Sequence, residues 1–170
     1  MRRPVDKAAL DRLVVDHLPH ALRFAIRLTG DEAVAEEIVQ EALTRAAESW
    51  ASFRGEAQFR TWLLRIVINV FRDRLRRRPE PVALPEGAPD LRVVDPQQQA
   101  MANELRQEIA ARVSALPPRQ REVLILITYE GLKPREVAKL LETNEANVHA
   151  TLHVARSRLR QELARYVAEE

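Results

Sequence analysis

The chain has 170 residues, 46% hydrophobic and 31% charged, with a formal net charge of +2; that is enough for one domain or two small ones with real cores, but the total charge announces no basic reader of duplex DNA. No apolar run approaches the ~20 residues that span a membrane, and MRRPVDKAAL turns charged too soon for a secretory leader, so a cytoplasmic protein is expected. With no cysteine there is no disulfide framework, zinc knuckle or thiol nucleophile.

Distribution says more than totals. Helical patterns cover 7–18 and 21–28, parted near Pro19, with His17 and His20 flanking the break. Thr29 and Glu32 in TGDE have capping-box spacing and open the next helix. Its apolar positions, Ala35, Ile38, Val39, Ala42, Leu43 and Ala46, follow the helical period, while Glu36, Glu37, Gln40 and Glu41 extend its polar side. This acidic run is either a solvated face or a protein-docking surface. SFRGEAQF, 52–59, reads as a loop.

The stretch QFRTWLLRIVINVFRDRLRRR follows, apolar enough for core yet threaded with arginine. At ~100° per residue, Thr61, Arg65, Asn69, Arg72 and Arg76 fall within an arc of roughly 80°. Phe59, Leu63, Ile66, Val67, Val70 and Phe71 occupy the rest of the circle, and Trp62 lies at the stripe's edge. Periodicity alone fits a core helix whose arginines snorkel to water. It fits equally a nucleic-acid surface, with cations for phosphates, an Asn for a base edge and an aromatic for stacking. Five arginines against Asp73 crowd 72–78, opposite in sign to the acidic helix; separate faces of this kind suit two different partners.

Five of the ten prolines fall between Pro79 and Pro96, so 79–97 is a linker between two helical halves. Extended, it reaches ~60 Å at about 3.1 Å per residue. The expected fold is all-α, with domains at 1–78 and 98–170. In the second half, helices are expected near 98–116, 119–129, 134–141 and 147–167, punctuated by Pro117 and Gly131. The last two, joined only by LETNEA with Asn144 able to cap the final helix, form a helix-turn-helix candidate. Val148, Leu152, Ala155, Leu159 and Leu163 would face its core.

Enzyme signals are poor. The four glycines are scattered, so no phosphate-cradling loop exists. His149 and His153 have i, i+4 spacing, but no carboxylate or cysteine is placed to complete a metal site, which leaves solvent- or DNA-facing histidines. No cofactor or small-molecule substrate is expected.

Four stretches together resemble the extracytoplasmic-function (ECF) sigma factors of bacterial RNA polymerase: LTGDEAVAEEIVQEALTRAAESW, FRGEAQFRTWLLRIVINVFRDRLRRR, LPPRQREVLILITYEGL and NVHATLHVARSRLRQEL. The resemblance implies a protein that binds core polymerase, places it on a promoter and holds the melted minus-ten non-template strand. By resemblance, Phe53, Arg54, Gly55, Glu56 and Ala57 receive a flipped base, and Thr61, Trp62, Arg65 and Asn69 contact the melted strand. Arg72, Arg76, Arg77 and Arg78 meet nearby phosphates. Glu36, Glu37, Gln40 and Glu41 would meet a basic coiled coil of the polymerase β′ subunit, with the β subunit as a further partner. Asn144, Glu145, Ala146, Asn147, His149, Ala150, Thr151, His153, Arg156, Arg158 and Arg160 would address the minus-thirty-five duplex. The linker suits two elements ~70 Å apart at ~3.4 Å per base pair. An anti-sigma factor, which could hold the chain at the membrane, is implied as a further partner.

The family commonly has glycine in the helix-turn-helix turn where this chain has Glu142, so either Asn144 supplies the unusual backbone conformation instead or the turn is shaped differently. Basic residues often stand in the family where His149, Thr151 and Val154 stand here. Two other functions share parts of the pattern. A sigma-like decoy that sequesters an anti-sigma factor need not retain the DNA stripe, and a stand-alone helix-turn-helix regulator would not need the acidic helix.

Overall fold

The computed structural model describes residues 7–53, 58–77 and 96–169. Among them every regular element is helical, and the chain divides into two compact units, Met1–Pro81 and Val82–Glu170. The expected linker lies outside the described residues except at its end, where Pro96 and Gln97 already belong to a helix. A proline there is no obstacle, because the first helical N–H has no intrahelical partner to lose.

In the first unit α1 spans Lys7–Thr29, α2 Glu32–Ser49 and α3 Phe59–Arg77, with a single 3-10 turn at Trp50–Ser52. The expected break at Pro19 does not occur; α1 runs through it. A mid-helix proline costs about 3 kcal/mol. Ala21, Phe24, Ala25 and Leu28 are all buried on the turns that follow, and their burial against α2 and α3 offsets that cost. Val15, whose carbonyl the missing N–H would have met, is 70% exposed, so water can serve it instead. His17 and His20 therefore lie within a helix, not at an end. His17 Nδ1 is 2.8 Å from the Leu13 carbonyl, and the His20 Nε2 accepts from Arg60 Nε at 3.0 Å.

The α1–α2 corner also differs from the TGDE expectation. Thr29 ends α1, its hydroxyl 2.9 Å from the Ala25 carbonyl, and Gly30 turns the chain with φ +72°. The N-cap of α2 is Asp31, whose carboxylate accepts from Val34 N–H at 2.9 Å. Both residues are competent caps. The buried Thr29 hydroxyl accepts only the Asp31 N–H, at 3.2 Å, one residue short of α2, which leaves the N3 amide to the Asp31 carboxylate.

Seven apolar side chains of α3 are buried, including Leu64 and Ile68 beyond those expected. At ~1.5–3 kcal/mol each that is on the order of 10–20 kcal/mol of gross burial, an upper figure. This helix packs against both α1 and α2.

The second unit comprises α4 (Pro96–Ser114), α5 (Pro118–Thr128), α6 (Pro134–Leu140) and α7 (Glu145–Glu169). Helix α7 begins two residues earlier than its apolar pattern indicated, because Asn144 Oδ1 caps it by accepting from Asn147 N–H at 2.8 Å. Val148, Leu152 and Ala155 are buried as expected, while Leu159 and Leu163 are half-buried. Arg121 is also inside: burial lowers its pKa to about 10, opposed by the neighbouring Glu122, and its Nη2 donates to the Leu116 carbonyl at 2.9 Å.

In the turn between α6 and α7, Asn144 is not the residue that takes the unusual backbone conformation. Glu142 itself takes the left-handed conformation, φ +54°. Thr143 N–H reaches back to the Ala138 carbonyl at 2.9 Å and Glu142 N–H to that of Lys139 at 3.4 Å, the paired bonds of a Schellman ending. With those carbonyls claimed, the residue after Leu141 must turn left-handed whatever its side chain. A non-glycine residue pays roughly 1–2 kcal/mol for that. Glu142→Gly should therefore raise the stability of this unit by about 1 kcal/mol, read as a melting temperature several degrees higher. An unchanged or lower melting temperature would show that the turn carries no such strain.

Candidate nucleic-acid interface

Burial of α3 on most of its circumference leaves a narrow outward strip. Arg65, Asn69, Arg76 and Arg77 are exposed, and Thr61, Trp62 and Arg72 half-buried. Ile68, buried to 1% exposure, lies only ~20° from Thr61 on the helical circle, so the strip's edge is sharp. Asn69 makes no hydrogen bond among the described residues, and its amide offers two donors and an acceptor to a ligand.

At the strip's N-terminal end the 3-10 turn brings an aromatic cluster together. Trp50 stacks on Phe53 at 5.2 Å between ring centroids, Phe53 meets Trp62 at 5.0 Å and Phe59 meets Trp62 at 5.5 Å. His17 packs edge-on to Phe59 at 5.2 Å. Trp62 is thus both a packing residue and a partly open ring, with contacts that fix its orientation. Trp50 was not singled out from sequence, and Phe59 only as part of the helix's apolar face. A signal existed, since both tryptophans and two of the four phenylalanines fall between 50 and 62. Of the loop expected to take a base, Phe53 is at the cluster; Arg54, Gly55, Glu56 and Ala57, like Arg78, lie outside the described residues.

Glu36, Glu37, Gln40 and Glu41 are all exposed on α2, but two of them have partners within the fold. Glu37 meets Arg74 at 2.5 Å, and Glu41 meets Arg45, also at 2.5 Å. Arg45 in turn donates to Asp73 at 2.7 Å, and Asp73 pairs with Arg76. The acidic helix and the arginine-rich end of α3 are therefore laced together. Arg45, Asp73 and Arg74 were missed as site residues because their partners lie far away in sequence, Asp73 28 residues from Arg45 and Arg74 37 from Glu37.

In the second unit α7 presents Glu145, Ala146, Asn147, His149, Ala150, His153, Arg156, Arg158 and Arg160 to solvent, with Thr151 half-buried at the edge. Asn144 and Asn147 are exposed but engaged at the helix start, Asn147 Nδ2 donating to the Thr143 hydroxyl at 3.2 Å. Among the described residues no cluster of three His, Cys, Asp or Glu could hold a metal.

Comparison with known proteins places these faces. Residues 13–79 match the family model for Sigma-70 region 2, and 106–159 match Sigma-70, region 4. The RNA polymerase sigma-H factor of Pseudomonas aeruginosa is 32% identical over 165 residues, covering 89% of this chain and 84% of that protein. The chain belongs to the ECF sigma factors. Another relative, the ECF sigma factor SigE of Mycolicibacterium smegmatis, is 32% identical over 96% of this chain, and the chain spans 66% of that protein's own length. The fold is shared with the sigma factor RpoE of Bartonella quintana, solved with the anti-sigma factor NepR, at a TM-score of 0.73 and 24% identity over 92% of this chain and 97% of that one. The α3 strip and aromatic cluster thus lie in region 2, and the α6–α7 pair in region 4.

The α2–α3 lacing has a pH consequence. The Arg45 hydrogen bond, with smaller help from Arg76 and Arg77, holds the Asp73 carboxylate below its ordinary value. A depressed carboxylate contributes stability that is present above its unfolded pKa, about 3.9, and is lost as pH falls through the lower folded value. Asp73→Asn should therefore melt below the native chain near neutrality, with the gap closing as pH drops below about 4. A gap that stays constant from pH 7 to about pH 3 would mean the pair does no such work.

Proposed function

We propose that this chain binds core RNA polymerase and directs promoter-specific initiation, residues 1–78 docking and holding the melted minus-ten element and 98–170 reading the minus-thirty-five duplex. It acts in the cytoplasm, without catalytic activity of its own. The observation that carries this is the α3 strip: arginines and an exposed Asn69 on one edge of an otherwise buried helix, ending at a cluster of aromatic rings. Single-strand capture needs that combination, since stacking is worth ~1–3 kcal/mol per base and cations supply the backbone contacts. A snorkelling core helix needs neither the aromatics at the strip's end nor an exposed amide.

Trp62, Arg65 and Asn69 touch the displaced strand, Phe53 and the loop after it take the flipped base, and Arg72, Arg76, Arg77 and Arg78 meet phosphates. Arg156, Arg158 and Arg160 anchor the upstream duplex. The family relationship supports an anti-sigma factor as a third partner, covering these surfaces until release. A decoy role is disfavoured by the intact strip, and a stand-alone regulator by the acidic face of α2.

The docking assignment is best tested at Glu36. It is exposed and makes no ion pair among the described residues, whereas reversing Glu37 or Glu41 would set like charges beside Arg74 or Arg45. In-vitro transcription with core polymerase on a promoter library should give initiation from a shared pair of elements. Glu36→Lys should lower polymerase capture severalfold at moderate salt with an unchanged melting curve, as expected of a rim charge. Full capture by the variant would remove α2 from the docking surface, and a library without any selected promoter would remove the sigma function itself.

A further inference from the structure

On the helical circle the line of α7 opposite buried Val148, Leu152 and Ala155 carries mostly short side chains, Ala146, Ala150 and Ser157 in its first half, with His153 and Val154 about equally far to either side. Small side chains there let a duplex groove approach the backbone closely. Reach to the phosphates must then come from the flanks. On one flank His149, His153, Arg156 and Arg160 fall within roughly 60° of one another, all exposed. The two arginines occupy only the distal part of this line. Its proximal part, nearest the turn, has imidazoles where a permanent cation would complete the row.

We propose that His149 and His153 are conditional phosphate anchors that make region 4's grip on duplex DNA depend on pH. The inference rests on the assignment of α7 to the upstream element.

Neither ring meets a hydrogen-bonding or ionic partner among the described residues, so both can turn to a ligand. The elements packed on α7 each carry charged groups. Glu145 precedes His149 by one turn on α7, and Arg156 and Arg160 follow. Helix α6 contributes Arg135, Glu136 and Lys139, and the turn Glu142. Helix α5 contributes Arg119, Arg121 and Glu122, of which Arg119 reaches the Leu141 carbonyl and lies 3.5 Å from Glu122. Helix α4 contributes Arg112, which pairs with Glu108 and lies 3.8 Å from Glu162 farther along α7. None of these ion pairs ties up either histidine.

The sign follows from linkage. An imidazole ordinarily changes charge near pH 6.5, and a phosphate attracts the protonated ring. The extra grip is therefore present on the acid side of that range and lost on the alkaline side. Two added cations steepen the dependence of affinity on salt by roughly 1.8 in log–log slope. Over a fourfold range of salt that slope is worth about tenfold.

The test uses the full chain assembled with core polymerase and a promoter duplex selected from a random library. Affinity and protection of the upstream element are measured at pH 6 and pH 8 across a salt series, for the native chain and for the double substitution His149→Gln, His153→Gln. At pH 6 the native chain should bind tighter than the variant, by an advantage that shrinks about tenfold over a fourfold rise in salt, and at pH 8 the two should bind equally. Identical pH and salt dependence in the two would overturn the inference. Arg156→Ala and Arg160→Ala separate that failure from a deeper one. If they weaken binding at both pH values while the histidine pair does nothing, only the conditional anchors fall. If none of the four positions alters upstream protection, the assignment of α7 to DNA falls with them.

Discussion

Everything in the first unit depends on how α3 divides its circumference. A helix that supplies seven buried side chains to a three-helix core has little surface left to spend on a ligand. What remains is one strip, bounded by Ile68 on one side and Trp62 on the other. Because the strip's backbone is fixed by that burial, side chains on it are held in register without any dedicated scaffold. Binding to a flexible single strand loses affinity to ordering costs, so rigidity on the protein side matters more here than it would for a preformed duplex.

The same packing explains why the two charged faces cannot be treated as independent. Arg45 lies between Glu41 and Asp73, and Arg74 reaches Glu37, so the acidic face of α2 and the arginine-rich end of α3 share partners. These pairs are half-buried or exposed, and surface pairs are individually worth ~0–1 kcal/mol. They add little to stability. They do fix where the arginine-rich end of α3 points, and they mean that a basic partner on α2 competes with Arg74 and Arg45 for the same carboxylates. Glu36 and Gln40 are the part of that face without such competition.

Much of this was legible in the sequence where the signal was local. The period of α3 located the strip before any coordinates, and the apolar pattern of α7 located its core face. The proline-rich stretch separated two helical halves. Failures came where one local rule met a stronger tertiary or backbone demand. Pro19 signals a break, but burial of Phe24 and Leu28 on the turns beyond outweighs one lost hydrogen bond. Thr29 and Asp31 are equally good caps on paper, and only the reach of the threonine hydroxyl, which stops at the Asp31 N–H, decides between them. Glu142 is an unfavourable left-handed residue, so Asn144 was the reasonable choice. The Schellman bonds to Ala138 and Lys139 fix the position of the turn regardless, and leave Asn144 to cap α7. The ion pairs from α2 to α3 were invisible for a simpler reason: nothing in a single sequence reports which residues 28 or 37 positions apart will meet.

The central claim is that the α3 strip holds melted DNA and is not merely the wet edge of a core helix. Asn69 tests it most directly, because it is exposed and makes no hydrogen bond among the described residues, whereas Trp62 also packs against Phe53 and Phe59 and its loss would disturb the fold. Permanganate footprinting of the promoter bubble, run beside a melting curve for Asn69→Ala, separates the two descriptions. The account predicts an unchanged melting curve with bubble formation reduced by ~1–3 kcal/mol, or roughly tenfold to hundredfold, and partial rescue on a template already mismatched over the minus-ten element. An open bubble of normal extent on fully paired DNA would contradict it.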